Sequence, residues 1–186
     1  MKRFSEQKAL AAILYLAHKT GKIDMYALLK ALYYADKYHF QQWGRTITGD
    51  TYHRLPFGPV PAKMYDMLKS VRGDGLWSRD LSDSLGFADH TTVIPKAKAD
   101  LNRLSQTDIE KLDESFMERG QKNFDQLCEE AHEDPAFKRS QAGKMTEDDF
   151  AEDDLVLLEH LKETRENERY VQDWRFLPPQ DKEAVC

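Results

Sequence analysis

The sequence is poor in the features that mark secreted and membrane-spanning proteins. It contains only two cysteines, Cys128 and Cys186, which form no C-x-x-C pair, so we interpret both as free thiols in a reducing compartment. No apolar run approaches the roughly 18 residues that a membrane span needs. The longest run, residues 9–17, is followed by no small-residue cleavage site of the kind that ends a signal peptide. These absences predict a cytoplasmic protein with no membrane partner.

The motifs of the common catalytic and metal sites are also missing. The nine glycines form neither a phosphate-binding loop nor a nucleophile elbow. The six histidines show no zinc-type spacing. The acids of residues 147–154 lack the turn glycine and ligand spacing of a calcium loop. We therefore predict that the protein is not an enzyme and has no catalytic residue, no metal and no cofactor.

The charge is unevenly distributed along the chain. The formal net charge is -6, but residues 1–103 carry 16 lysines and arginines against 10 acids, and residues 104–186 carry 11 against 23. Broad binding to nucleic-acid phosphates needs many cations on one surface, so the overall acidity makes nucleic acid an unexpected partner. The basic first half still leaves a local patch open, and a DNA-binding autorepressor therefore stays an alternative.

What the sequence does contain is a series of amphipathic segments. Its 186 residues favour one domain with room for a small extension. Five segments repeat apolar residues at helical spacing, and they begin near Ser5, Asp24, Pro61, Thr107 and Phe124. We expect Gly21, Gly44 and Gly120 to end three of them, and Thr107 to be an N-cap with Glu110 completing its capping box. A further acidic helix is predicted over residues 147–168, followed by a tail over residues 169–186 that contains Trp174 and Phe176.

Two stretches favour an extended chain instead. Residues 46–61 combine β-branched and aromatic side chains with three prolines, which cannot continue a helix. Residues 87–94 end in a β-favouring run. We expect one small antiparallel sheet that pairs residues 87–94 with parts of residues 46–55. The predicted fold class is α+β, mainly α-helical.

The segment from Trp43 to Pro61 is the strongest candidate for function. It combines aromatic side chains with a backbone restricted by proline, so it would lose little entropy on binding a partner. The alternative is a rigid connector that orients the third helix. As partner-binding or motif positions we select six residues: Trp43, Arg45, Asp50, Tyr52, Phe57 and Tyr65.

The same region resembles a known family. Residues 28–39 read LLKALYYADKYH, residues 44–52 read GRTITGDTY and residues 55–61 read LPFGPVP. These motifs resemble "LLKLLYFADRYH", "GRPITGDTY" and "LPYGPVP" of the Panacea domain of SocA-like antitoxins. The resemblance continues more weakly over residues 104–137. The departures are mild: Thr46 stands where proline is common, Phe57 replaces tyrosine and Phe137 replaces tryptophan.

The resemblance implies a type II antitoxin that binds and neutralises a cognate toxin, and many toxins of this family block translation. One branch of the family instead works as an adaptor that delivers its toxin to a AAA+ protease, which is the alternative mechanism here. The resemblance carries no catalytic residue to transfer. It places the Panacea-like domain at residues 1–143, with residues 144–186 as an acidic helix and tail that either pack on this domain or face a partner.

Overall fold

The computed structural model describes residues 4–140 and 143–151, and six positions beyond them: Asp154, Leu157, Glu159, Lys162, Glu163 and Glu166. The α-helices of this part are Glu6–His18 (α1), Met25–Trp43 (α2), Ala62–Arg72 (α3), Gln106–Arg119 (α4), Phe124–Glu133 (α5), Pro135–Arg139 (α6) and Glu147–Ala151 (α7). The strands are Ile23–Asp24 (β1), Tyr52–Leu55 (β2), Gly58–Pro61 (β3), Leu85–Phe87 (β4), Thr92–Pro95 (β5) and Gly143–Met145 (β6). The prediction of a mainly helical α+β fold with small antiparallel sheets is confirmed.

Helix α2 is the centre of the fold. It begins after Asp24, whose Oδ1 accepts hydrogen bonds from the backbone N–H groups of Tyr26 and Ala27 at 2.8 and 3.2 Å. It ends at Gly44, which has a left-handed φ of 64°. Fourteen of its nineteen residues are buried, because α1, α4, α5, α7 and β3 all pack around the helix. A helix that is buried on several faces needs a wide apolar arc, and α2 has one.

The expected strand pairing is wrong. Instead of one sheet that joins residues 87–94 to residues 46–55, the described residues form two three-stranded antiparallel sheets, ordered β1-β5-β4 and β3-β2-β6. Strand β2 pairs with β3, which follows it after two residues, and strand β5 pairs with β4. Both pairs are hairpins, and closing a short loop costs less chain entropy than joining distant segments. The distant partners, β1 and β6, take the remaining edges.

The predicted start of α4 and the predicted end of α1 also move, whereas α3 begins where it was expected. The N-cap of α4 is Ser105 and not Thr107, and Asp108 completes the capping box in place of Glu110. Helix α1 ends at His18, so Gly21 lies beyond its cap. Helix α3 begins directly after Pro61. A capping box needs only a hydroxyl and an acceptor three residues apart, and Ser105 with Asp108 satisfies that spacing as well as Thr107 with Glu110 does.

The chain past residue 142 contributes to the core. Strand β6 pairs with β2. Phe150 of α7 is fully buried, with its ring centroid 4.7 Å from Tyr52 and 5.4 Å from Tyr33. Strand β6 and helix α7 therefore pack against β2 and α2, whereas the domain boundary at residue 143 and the packing of residues 144–186 as a whole stay predictions. Most of the acidic helix, the tail over residues 169–186 and Cys186 lie outside the described residues.

Candidate partner-binding surface

The tip of the β2–β3 hairpin exposes an aromatic side chain. Leu55 lies opposite Gly58 in the ladder, so Pro56 and Phe57 form a two-residue connection. Proline in the second position and glycine in the fourth are typical of a type I turn, and Gly58 has a φ of 94° that a residue with a side chain rarely adopts. The Phe57 side chain is 53% exposed at this tip.

Helix α5 holds the hairpin tip through three side chains on one of its rows. His132 Nε2 donates to the carbonyl oxygen of Pro56 at 2.8 Å, and Cys128 Sγ lies 3.9 Å from the carbonyl oxygen of Phe57. The Phe124 ring meets the Phe57 ring edge to face, with 5.3 Å between centroids. Residues 124, 128 and 132 are spaced by four, so they lie above one another along the helix. The tip is therefore fixed at three successive points.

A buried lysine supports the tip from below. Lys30 of α2 is 2% exposed, and its Nζ donates to the carbonyl oxygen of Pro59 at 2.8 Å. Burial lowers the pKa of Lys30 to about 7, since removing the ammonium group from water disfavours its charge. A Cβ on Gly58 would lie 2.6 Å from this Nζ and 2.5 Å from the Cβ of Ala131. Only glycine lets the hairpin approach α2 and α5 this closely.

The exposed ring of Phe57 belongs to a row of three aromatic side chains. Phe124 also touches Tyr26, at the start of α2, with 5.0 Å between ring centroids. Phe124 is 39% exposed and Tyr26 is half-buried. We call Tyr26, Phe124 and Phe57 the aromatic ridge. Contiguous exposed aromatic surface costs solubility, and it marks interaction sites more often than isolated apolar residues do.

Tyr65 of α3 is another partly exposed aromatic side chain. It is half-buried, and Lys69 Nζ lies 5.4 Å from its ring centroid. Tyr65 and Tyr26 both contribute to the electrostatic environment of Arg72 and help to raise the pKa of that guanidinium, for which the hydrogen bond to Asp74 is the main cause. Of the six residues selected from the sequence, Phe57 thus lies on the ridge, and Tyr65 is partly exposed and acts on the same guanidinium as Tyr26 does.

Asp50 is buried and accepts hydrogen bonds from the backbone at the start of α3. Its carboxylate accepts hydrogen bonds from the backbone N–H groups of Thr51 at 2.7 Å, Lys63 at 3.0 Å and Met64 at 3.0 Å. The last two belong to the first turn of α3, whose own N-cap, Pro61, has no side chain that can accept a hydrogen bond. Asp50 is 4% exposed, and its burial raises the pKa of the carboxyl group. It caps α3 from a position outside the helix.

Tyr52 is also part of the interior. It is 1% exposed, and its hydroxyl donates to Oδ2 of Asp36 at 3.0 Å. Asp36 also accepts hydrogen bonds from the backbone N–H groups of Ile47 and Thr48, at 2.7 and 3.1 Å. Burial raises the pKa of Asp36 to about 6, although these hydrogen bonds favour the charged form. The GRTITGDTY segment is thereby tied to the middle of α2.

Trp43 and Arg45 lie at the other end of α2. The Trp43 ring stacks at 4.5 Å on His39, and Arg45 Nη1 lies 3.4 Å from Oδ1 of the buried Asp108. Seventeen residues of helix separate Trp43 from Tyr26, which is about 25 Å at the rise of an α-helix. These two residues therefore cannot share one compact contact surface with the aromatic ridge.

Sequence reasoning missed Tyr26 and Phe124 as candidates for the surface. Both stand in the first turn of a helix: Phe124 directly follows its N-cap Asn123, and Tyr26 lies two residues after its N-cap Asp24. An aromatic side chain in a first turn is less enclosed by its own helix than one in the middle. The first-turn position could have marked these two residues as exposed. No local sequence pattern, however, shows that the starts of the two helices meet at the same hairpin tip.

The described residues hold no group of three or more His, Cys, Asp or Glu side chains that could bind a metal ion. No helix among them is both long and apolar enough to cross a membrane. A cavity of about 200 Å³ lies beside α1, and two ion pairs, Arg79 with Glu6 and Arg103 with Asp100, occupy its rim. The arrangement that stands out is the aromatic ridge, a surface suited to contact with another macromolecule.

Residues 28–138 match a family described as "Antitoxin SocA-like, Panacea domain". The match covers more than half of the chain and includes Phe57, Phe124 and the Asp36 network, whereas Tyr26 lies just before it. No curated protein and no solved structure matches the chain.

Proposed function

Because this chain belongs to the family of SocA-like antitoxins with a Panacea domain, we propose that it neutralises a cognate toxin protein by binding it directly. A toxin partner is what membership of an antitoxin family implies. The observation that supports direct binding is the aromatic ridge, which is exposed and held in one geometry. The proposal places both proteins in the cytoplasm. The family is not known for enzymatic activity, and binding needs no catalytic residue.

The ridge has the physical properties of a binding hot spot. Aromatic residues contribute most to protein interfaces when they enter a pocket of the partner and leave water. The Phe57 ring contacts Phe124, while Cys128 and His132 hold the backbone carbonyl oxygens of Phe57 and Pro56, so the hairpin tip is fixed before any partner arrives. A preorganised side chain loses little conformational entropy on binding, so more of the burial energy becomes affinity.

The six residues selected from the sequence then divide by role. Phe57 and Tyr65 are proposed contacts with the toxin. Asp50 and Tyr52 are proposed scaffold, since one caps α3 and the other anchors the GRTITGDTY segment to Asp36. Trp43 and Arg45 are also proposed as scaffold.

A growth-rescue experiment tests the function. The open reading frame next to this gene is expressed alone and then together with this chain, and colonies are counted. The proposal expects death with the first and survival with both. If the neighbour is harmless, or still kills in the presence of this protein, toxin neutralisation is the wrong function.

Two single substitutions then test the surface. Phe57→Ala removes a ring that is 53% exposed, and Leu101→Ala removes a control side chain that is 51% exposed in the 3₁₀ turn Leu101–Arg103. We expect Phe57→Ala to weaken toxin binding by tenfold or more, which corresponds to about 1.4 kcal/mol, and Leu101→Ala to leave it unchanged. Equal affinities for the two variants would show that the toxin binds elsewhere.

The toxin level separates direct neutralisation from the adaptor mechanism. If this chain inhibits by binding, the toxin persists at an unchanged level in surviving cells, with or without AAA+ proteases. If the toxin disappears only where such a protease is present, the chain acts as an adaptor. Immunoblots of the toxin in wild-type and protease-deficient cells give the two outcomes.

A further inference from the structure

Two acidic side chains lie beside the aromatic ridge without a cation to pair with. Asp125 and Glu129 are exposed on α5, and neither forms an ion pair with any residue that the structure describes. Their neighbours on the same helix differ in this respect. Glu130 pairs with Arg119 and Lys122, and Glu133 pairs with Lys138.

The spacing along α5 places these two acids along the edge of the ridge. Phe124, Cys128 and His132 form the row that contacts the hairpin tip. Asp125 and Glu129 each follow a member of that row by one residue, so they form the adjacent row, about 100° further around the helix. Burial raises the pKa of the Cys128 thiol, Lys30 partly offsets this, and Asp125 adds a smaller increase, which agrees with its position beside the row.

We propose that the aromatic ridge and these two carboxylates together bind a positively charged segment of the partner, with arginine or lysine side chains lying against the rings and pairing with Asp125 and Glu129. This inference rests on the proposed function, because the partner is the toxin. An aromatic face attracts a cation, and a guanidinium can stack on a ring while its N–H groups bind a carboxylate.

The two carboxylates contribute mainly to specificity. Exposed charges attract a partner of opposite charge over a distance of about a Debye length and speed its association. The same charges disfavour an acidic or purely apolar segment, which would have to cover them without neutralising them. A surface built from rings alone would accept any apolar partner, a second copy of this chain included.

The test compares two double variants that remove the same amount of charge. Asp125→Asn with Glu129→Gln neutralises the proposed contacts. The control, Glu110→Gln with Glu114→Gln, neutralises two exposed acids with the same spacing of four residues on α4. The probe is the toxin identified by growth rescue. Its dissociation constant for wild type and both variants is measured by calorimetry at about 50 mM and about 500 mM salt.

We expect the first double variant to bind about tenfold more weakly than wild type at the lower salt concentration, and to bind nearly as well as wild type at the higher one, where screening removes the difference. The control should bind like wild type at both. If the chain rescues growth and binds the toxin, but the two double variants have equal dissociation constants, the proposal of a positively charged segment is wrong and toxin neutralisation stands. If no neighbour is neutralised, both are wrong.

Sedimentation velocity of the chain alone tests whether a second copy of this chain, instead of the toxin, covers the ridge. We expect a monomer whose sedimentation coefficient is independent of concentration and unchanged by Phe57→Ala. A concentration-dependent dimer that Phe57→Ala dissociates would mean that a second copy of this chain covers the ridge, and it would overturn the proposal.

Discussion

Replacement of Asp50 by alanine should destabilise the fold and not merely weaken the protein's interactions. The carboxylate accepts hydrogen bonds from three backbone N–H groups, those of Thr51, Lys63 and Met64. Alanine leaves these donors without an acceptor in a buried place, at roughly 1–3 kcal/mol for each one that water cannot reach. Loss of a helix cap by itself costs about 1 kcal/mol.

Together these effects predict that Asp50→Ala lowers the free energy of unfolding by about 3–5 kcal/mol, because part of the exposed backbone will regain water. The total free energy of unfolding of a domain is only about 5–15 kcal/mol. Asp50→Asn keeps one carbonyl oxygen as an acceptor and should lose roughly half as much. Asp66→Ala, an acid on α3 itself that forms no cap, should cost less than about 0.5 kcal/mol.

Urea unfolding followed by far-ultraviolet circular dichroism measures these differences. The reasoning is refuted if Asp50→Ala unfolds within about 1 kcal/mol of wild type. A variant with the stability of wild type that no longer binds the toxin would be the more informative failure. It would mean that Asp50 is a contact and that the cap is incidental.

Further predictions concern the support of the hairpin tip. In urea unfolding, Gly58→Ala should destabilise the fold by about 2 kcal/mol more than Gly73→Ala. Both positions have positive φ, but only at Gly58 would an added Cβ lie within 3 Å of other atoms. If both variants lose the same free energy of unfolding, the close approach at Gly58 does not affect stability. Unfolded Lys30 binds a proton below pH 10.5 and folded Lys30 only below about 7, so the unfolded state holds more protons in this window. The free energy of unfolding should therefore rise from pH 7 to 10 by about 2–4 kcal/mol relative to Lys30→Met, and parallel pH profiles would contradict the assignment. Tyr52→Phe removes the hydrogen bond to Asp36 and should cost about 1–2 kcal/mol by the same assay; an unchanged midpoint would mean that the bond adds nothing.

The sequence alone determined the features that depend on neighbouring residues. Asp24 and Gly44 predicted the two ends of α2, because an N-cap carboxylate and a left-handed glycine act within one helical turn. Prolines excluded a helix over residues 55–61. The periodicity of apolar residues predicted the mainly helical fold, and the quoted motifs predicted the family.

Local sequence patterns could not predict which strands pair with each other. Strands β2 and β5 both have β-favouring residues, and nothing in either segment shows which partner it takes. The hairpin pairings agree with the low cost of closing a short loop. The short strands β1 and β6 were not predicted because two or three residues are too few to show an alternation of apolar and polar side chains.

The candidate surface depended on the tertiary structure most of all. Phe57 could be selected from its motif, but Phe124 lies 67 positions away, and only the packing of α5 on the hairpin brings the two rings together. Burial separated Asp50 and Tyr52 from Phe57, which a partner can reach, although the sequence had selected all three. Sequence patterns report the preferences of a residue for its neighbours in the chain, whereas exposure and juxtaposition arise only when distant segments compete for the same space.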